Sequence, residues 1–175
     1  MLDTARTVSE LSEFLRWMST DASTPDFLRF RDGDPYAPER KQTEILRTAE
    51  RLRFLLPSVD IEGTKTLTEE TTGHALEAGT ILSPSLESTF ESGEFAPYVR
   101  EVIESGRSTL FVAERNLPSY LGLADDGRVQ IGVEDDAGFP RSLLETTDAD
   151  VRAWAEGVYR TYCEQARRKP LDDFE

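Results

Sequence analysis

The chain has 175 residues, 38% of them hydrophobic, enough to bury one good-sized core and short enough for a single domain. Its 34 acidic against 20 basic side chains give a formal net charge of −14, a surface that repels phosphate backbones and disfavours direct contact with nucleic acid. No stretch approaches the roughly 20 apolar residues of a membrane span, and Met1-Leu2-Asp3-Thr4-Ala5-Arg6 has no basic stretch leading into an apolar run, so a cytoplasmic protein without signal peptide or membrane partner is expected.

The cations are unusual in kind, because only Lys41, Lys65 and Lys169 are lysines and the rest are arginines. This composition reads as adaptation to salt: with a Debye length of about 3 Å at molar ionic strength, a dense acidic coat keeps the protein soluble at little cost in self-repulsion. Cys163 stands alone, which precludes an internal disulfide.

Thr7-Val8-Ser9-Glu10 has the pattern of a capping box, and Val8, Leu11, Phe14, Leu15 and Met18 follow at helical spacing. An amphipathic helix over 7–18 is expected, then a loop over 19–26 and a short strand over 27–30. Turn chemistry at Asp32-Gly33-Asp34-Pro35 precedes Pro38, which suits the first position of a second helix. That helix is expected to carry Ile45, Leu46, Ala49 and Leu52 inward until Pro57 stops it. A third helix over 67–78 is expected despite the interruption at Thr71-Thr72-Gly73, with Gly79 ending it. Thr80-Ile81-Leu82 reads as a buried strand leading into a helical start at Ser83-Pro84. A helix over 97–105 closes at Gly106, and Thr109-Leu110-Phe111-Val112 is a second buried strand. Strand, helix and strand at this spacing imply a right-handed crossover between parallel partners.

Beyond residue 119 the rhythm becomes that of hairpins. Strands over 120–123 and 129–133 are joined through Asp125-Asp126-Gly127-Arg128, and a second turn at Asp135-Asp136-Ala137-Gly138 leads to a strand around Ser142-Leu143-Leu144. Asp148 caps a last helix whose stripe of Val151, Trp154, Ala155, Val158, Tyr159, Tyr162 and Ala166 is wide enough to cover a sheet face. The expected fold is therefore α/β: a mixed sheet of about five strands, beginning as a parallel βαβ unit and ending as an antiparallel meander, covered by helices.

Chemistry-bearing residues are few. His74 is the sole histidine and has no second nitrogen or thiolate at ligand spacing, so it reads as a structural or surface residue and no metal is expected. Gly-x-Ser-x-Gly and a phosphate-binding glycine loop are both absent, and Gly63-Thr64-Lys65-Thr66 lacks the glycine spacing that wraps a phosphate. Asp125/Asp126 and Asp135/Asp136 fall in turns, which favour Asp for backbone reasons alone. No catalytic residue and no cofactor is expected.

The stretch 110–166 resembles the C-terminal domain of archaeal winged-helix regulators grouped with the methanogenesis regulator of filament-forming methanogens, a family with many haloarchaeal members. The resemblance runs in order through Leu117-Pro118, Tyr120-Leu121-Gly122-Leu123, Asp125-Asp126, Gln130-Ile131-Gly132-Val133, Gly138, Asp148 and Val151-x-x-Trp154-Ala155-x-x-x-Tyr159-x-x-Tyr162. Upstream, Asp34-Pro35-Tyr36-Ala37-Pro38 and Leu55-Leu56-Pro57 are similar to the family's middle. In that family the domain follows a winged helix-turn-helix; the residues before Thr7 are too few to hold one, so the DNA-binding domain is expected either to have been left out of this sequence or to be missing from a stand-alone relative.

The strand order also resembles half of a phospholipase D-like fold. Such enzymes use His-x-Lys with an Asp beyond it, the histidine acting as nucleophile. With Asp126 as that aspartate, Ser119 and Leu121 take the histidine and lysine positions; with Asp125, Pro118 and Tyr120 do. The motif is lost in either register, which excludes phosphodiester chemistry of that type.

The resemblance implies a sensing and dimerising domain of a haloarchaeal transcription regulator, organised as a connector or dimerisation helix (1–19), an α/β sensor domain (20–170) and a tail (171–175). Expected partners are a second copy, through Leu11, Phe14, Leu15, Trp17 and Met18; a small-molecule effector of unknown identity; and DNA only through a separate winged-helix domain. Arg115, Asn116, Ser119 and Tyr120 are the expected effector contacts, at the carboxyl end of the second buried strand where connections diverge. The alternatives are a stand-alone protein-binding adaptor or a small hydrolytic enzyme.

Overall fold

The computed structural model describes residues 27–29, 36–134 and 140–170. The helix expected over 7–18 with its five interface residues, the turn at 135–138 and the tail at 171–175 lie outside the described residues.

An eight-stranded mixed sheet, in the order β1-β7-β6-β5-β2-β3-β4-β8, forms the frame. The strands are β1 (Phe27–Arg29), β2 (Arg51–Leu56), β3 (Glu77–Leu82), β4 (Ser108–Val112), β5 (Tyr120–Ala124), β6 (Val129–Glu134), β7 (Pro140–Thr146) and β8 (Arg167–Arg168). β2, β3 and β4 are parallel neighbours, and β5, β6 and β7 form the antiparallel meander, joined to the parallel half where β5 pairs with β2. The α/β class and the change from parallel to antiparallel agree with the sequence reading, whereas the strand count is larger.

Three differences account for the extra strands and shifted boundaries. Helix α1 (Ala37–Thr48) stops at Ala49, which is extended, so residues 51–56 form β2 and do not continue the helix. Leu52 lies seven residues beyond Ile45 and suits either period, and no Gly or Pro marks the break. Helix α2 (Ile61–Gly73) begins earlier and ends sooner than the helix expected over 67–78, leaving 77–82 to β3. β8 is a pair of arginines on the edge of β4, invisible to any hydrophobic pattern.

Side chains alternate across the sheet, as the pleat requires. Leu55, Ile81, Leu121, Leu123 and Ile131 meet Ala155, Val158, Tyr159 and Tyr162 of helix α5 (Ala149–Glu164) on one face. Asp148 accepts from the Asp150 and Val151 amides to start that helix, as read from the sequence. On the opposite face Leu52, Phe54, Ala78, Tyr120 and Leu143 pack with Ile45 and Leu46 of α1. Further along that face Leu82 and Leu110 meet Phe90 of helix α3 (Glu87–Glu91) and Val99 of helix α4 (Ala96–Glu104). Among the described residues no helix is long and apolar enough to cross a membrane.

Candidate functional site

Between these two clusters on the α1 face, packing is incomplete. A cavity of about 380 Å³ lies over β2, β3, β4 and β5 and under α1, α2 and α4, within the size range of small-molecule sites. Leu46, Phe54, Leu56, Leu67, Val99 and Leu110 are among its apolar walls.

Gly63, Thr64 and Leu67 of α2 line the cavity, and the helix that carries them is atypical. The inward residues of α2 are Thr64, Thr66, Thr68, Glu70 and Thr71, which give no apolar stripe. The hydroxyls turn back to the carbonyls one turn earlier, Thr64 to Asp60 at 2.9 Å, Thr68 to Thr64 at 2.9 Å and Thr71 to Leu67 at 2.8 Å. The buried hydroxyls are thus satisfied within the helix itself. Asp60 caps the helix by accepting from the Gly63 amide at 2.7 Å, and a Cβ on Gly63 would stand 2.9 Å from the other carboxylate oxygen. A side chain at residue 63 would therefore make the capping carboxylate give way where the chain turns into α2 beside the cavity.

The floor contains one exception to this economy. Thr80 of β3 is 3% exposed and lines the cavity, yet its hydroxyl has no hydrogen-bond partner. In a strand there is no carbonyl one helical turn back, so the solution available to α2 is denied to it. A buried hydroxyl left unpaired costs on the order of 1–3 kcal/mol.

Beside it, the Tyr120 hydroxyl donates to Gln130 Oε1 at 3.0 Å. The Gln130 amide nitrogen donates to the Lys41 carbonyl at 3.0 Å and to Glu145 at 2.7 Å. Both of those partners are acceptors, so the amide orientation is fixed and the phenol has to be the donor. Burial, reinforced by the negative charge of Glu145, holds the Tyr120 phenol far above the usual tyrosine range. It is a neutral hydrogen-bonding group here and not an acid.

The rim is acidic. Glu39, in the first turn of α1, and Asp60 both line the cavity, while no Lys, Arg or His does. Burial, then the neighbouring charges of Asp60 and Glu62, raise the Glu39 carboxyl above its ordinary value.

Of the residues expected to contact an effector, Tyr120 alone lines this cavity. Arg115 and Asn116 are exposed on the connection from β4 to β5, and Ser119 is buried beside Tyr120. That connection is pinned to the turn after β3, where the Leu117 amide donates to Ser83 Oγ at 2.8 Å and the Ser85 amide to Asn116 at 3.4 Å. Thr80, Glu39 and Asp60 were not expected from sequence. The one available signal was a hydroxyl inside the otherwise apolar run Ala78-Gly79-Thr80-Ile81-Leu82.

Other polar groups are committed to structure. His74 is exposed at the end of α2, its ring bonded to Glu70 at 2.8 Å. Asp125 accepts from the Glu50 and Arg51 amides at 3.2 and 3.0 Å, and Asp126 pairs with Arg128 at 2.7 Å. In a second, more open depression, Arg51 pairs with Glu77, Arg53 and Arg152 with Glu156, and Arg107 with the Thr71 carbonyl. Among the described residues no cluster of His, Cys, Asp and Glu is suited to a metal.

Residues 35–165 match the family model described as methanogenesis regulatory protein FilR1, middle domain. No curated protein matches the sequence significantly. Among solved structures, the fold is similar to that of TrmBL2, an archaeal chromatin protein, at a TM-score of 0.63 and 15% identity, with 94% of this chain and 63% of that one covered. The chain thus spans less than two thirds of TrmBL2. It is also similar to Nuc from Salmonella typhimurium, a phospholipase D family member, at a TM-score of 0.60 and 11% identity over 78% of this chain and 93% of that one. NucT from Helicobacter pylori gives a TM-score of 0.57 and 12% identity over 79% and 94%.

Proposed function

Because the chain belongs to the family of the methanogenesis regulatory protein FilR1, middle domain, we propose that it is the effector-sensing domain of an archaeal transcription regulator. The observation that carries this reading is the cavity on the α1 face with the unpaired Thr80 hydroxyl in its floor. A domain that only filled a structural role would gain stability by closing that space. A ligand gains by entering it.

Occupancy would be felt by α1. Glu39, Gln42, Thr43 and Leu46 of this helix line the cavity, and its Lys41 carbonyl is tied through Gln130 to Tyr120. The helix follows the segment holding Leu11, Phe14, Leu15, Trp17 and Met18, which in this reading joins two copies, while DNA is contacted only by a separate winged-helix domain. Tyr120 belongs to the effector site, and Arg115, Asn116 and Ser119 stand outside it.

The domain acts without covalent chemistry in this reading. The likeness to phospholipase D-like structures favours hydrolysis as a rival, but Ser119 and Leu121, or Pro118 and Tyr120, stand where His-x-Lys would be needed.

A thermal-shift screen of a metabolite library on the wild type and on Leu67→Trp, which fills the cavity from α2, tests the proposal. Compounds that stabilise the wild type and lose that effect in the variant are expected. A library without one stabilising compound, or stabilisation indifferent to Leu67→Trp, overturns it.

A further inference from the structure

The lining of the cavity also constrains what enters it. We infer that its ligand is a small apolar amine: a cationic head at the Glu39 and Asp60 rim, a hydrocarbon or aromatic body, and a neutral hydrogen-bonding group at the buried end that meets Thr80. The inference rests on the effector-sensing reading and specifies its chemistry.

Three features of the lining lead there. The walls are apolar side chains from α1, β2, α2, α4 and β4, so the body of the ligand gains by leaving water. The floor offers the free hydroxyl of Thr80, which is 3% exposed and able to give and accept one hydrogen bond. The two ionisable groups at the rim are both carboxylates, with no cation among the lining residues to balance them. Asp60 has its cap bond to Gly63 and a helix N-terminus behind it, so it is partly offset. Glu39 also stands in the first turn of a helix, but burial and then the charges of Asp60 and Glu62 raise its carboxyl. Phosphorylated and carboxylated metabolites would add negative charge to this rim and find no cation among the lining residues. An ammonium would bring the missing one.

A series sharing one phenylethyl body isolates the head group. Binding of phenethylamine, phenethyl alcohol and hydrocinnamate is measured by calorimetry on the full chain, at about 0.1 M and about 2 M KCl to vary screening. The amine is expected to bind tightest and hydrocinnamate weakest, the two differing by about tenfold or more at low salt. In Glu39→Gln, where Asp60 alone remains at the rim, the lead of the amine over the alcohol is expected to shrink severalfold. Tyramine, which adds a hydroxyl at the far end, is expected to bind severalfold tighter than phenethylamine to the wild type and no tighter to Thr80→Val.

Hydrocinnamate binding as tightly as the amine, or an amine lead undiminished in Glu39→Gln, overturns the inference and leaves effector sensing intact. So does the absence of binding by all four probes at about 10 mM when the library screen succeeds with other compounds. Failure of that screen as well removes the underlying reading.

Discussion

Tyr120 lies along its own strand over Gly122: a Cβ at residue 122 would stand 2.7 Å from the Tyr120 hydroxyl and 3.3 Å from Cζ. Gly132, its partner across the β5–β6 ladder, leaves room on the other side, where a Cβ would come within 3.2 Å of Tyr120 Cβ. Two glycines thus let a large ring lie flat in the cavity floor and bring its hydroxyl to Gln130.

Gly122→Ala is therefore expected to destabilise by about 1–3 kcal/mol, the usual cost of overpacking, and to change the near-ultraviolet circular dichroism of the displaced tyrosine. Gly157, inside α5, would meet nothing within 4 Å, and Gly157→Ala is expected to stabilise by about 0.5–1 kcal/mol through helix propensity. Urea unfolding of both variants checks the opposite signs. A neutral Gly122→Ala would show that the ring moves aside without loss.

The meander, the parallel pair β3 and β4, the cap at Asp148 and the stripe of α5 all follow from alternation, turn residues and helical spacing. β2 was hidden because Leu52 and Leu55 satisfy the helical period continued from Ile45, and the chain passes from helix to strand at Ala49 without punctuation. α2 was misplaced because its buried face is threonine, polar by composition and apolar only after the hydroxyls bond back to the helix. Tyr120 was singled out as an aromatic at the end of a connection, and it lines the cavity. Thr80 was not, since its significance is the absence of a partner, a property of the assembled fold.

That absent partner makes a second prediction. Thr80→Val keeps the shape and removes the unpaired hydroxyl, so it is expected to stabilise the ligand-free protein by about 1 kcal/mol. Denaturant midpoints decide it. A loss of stability would mean that the hydroxyl is satisfied in solution, by water in the cavity for instance.

Lys169 joins the chain's end to the fold. Its side chain is fully buried between Glu87, at 2.9 Å, and Glu91, and its amide donates to the Leu110 carbonyl at 2.8 Å. Lys169→Ala takes this partner from Glu91 and leaves Glu87 with Arg167, and is expected to cost about 1–3 kcal/mol, more than the same change at exposed Arg168. Equal effects in thermal unfolding would reduce β8 to an ornament of the edge.

Acid should act with opposite signs at two glutamates. Glu156 receives both guanidinium nitrogens of Arg53, one at 2.7 Å, and Arg152 at 3.2 Å. Those hydrogen bonds from Arg53, with the charges of Arg53 and Arg152 behind them and burial opposing, hold its carboxyl below the usual range. A depressed acid binds fewer protons when folded, so its contribution is complete above the unfolded value of about 4.3 and is lost as pH falls through the lower folded value. Glu39 is raised, chiefly by burial, so its charge opposes folding above the raised value and that opposition fades as pH falls through it. At neutral pH, Glu156→Gln is expected to cost about 1 kcal/mol and Glu39→Gln to gain about 0.5 kcal/mol, both discounted for solvent screening. Toward pH 3 the difference between each variant and the wild type should shrink as the native carboxyls protonate. Parallel urea titrations from pH 7 to pH 3 test this, and differences constant over that range would place the origin of both effects in packing instead of charge.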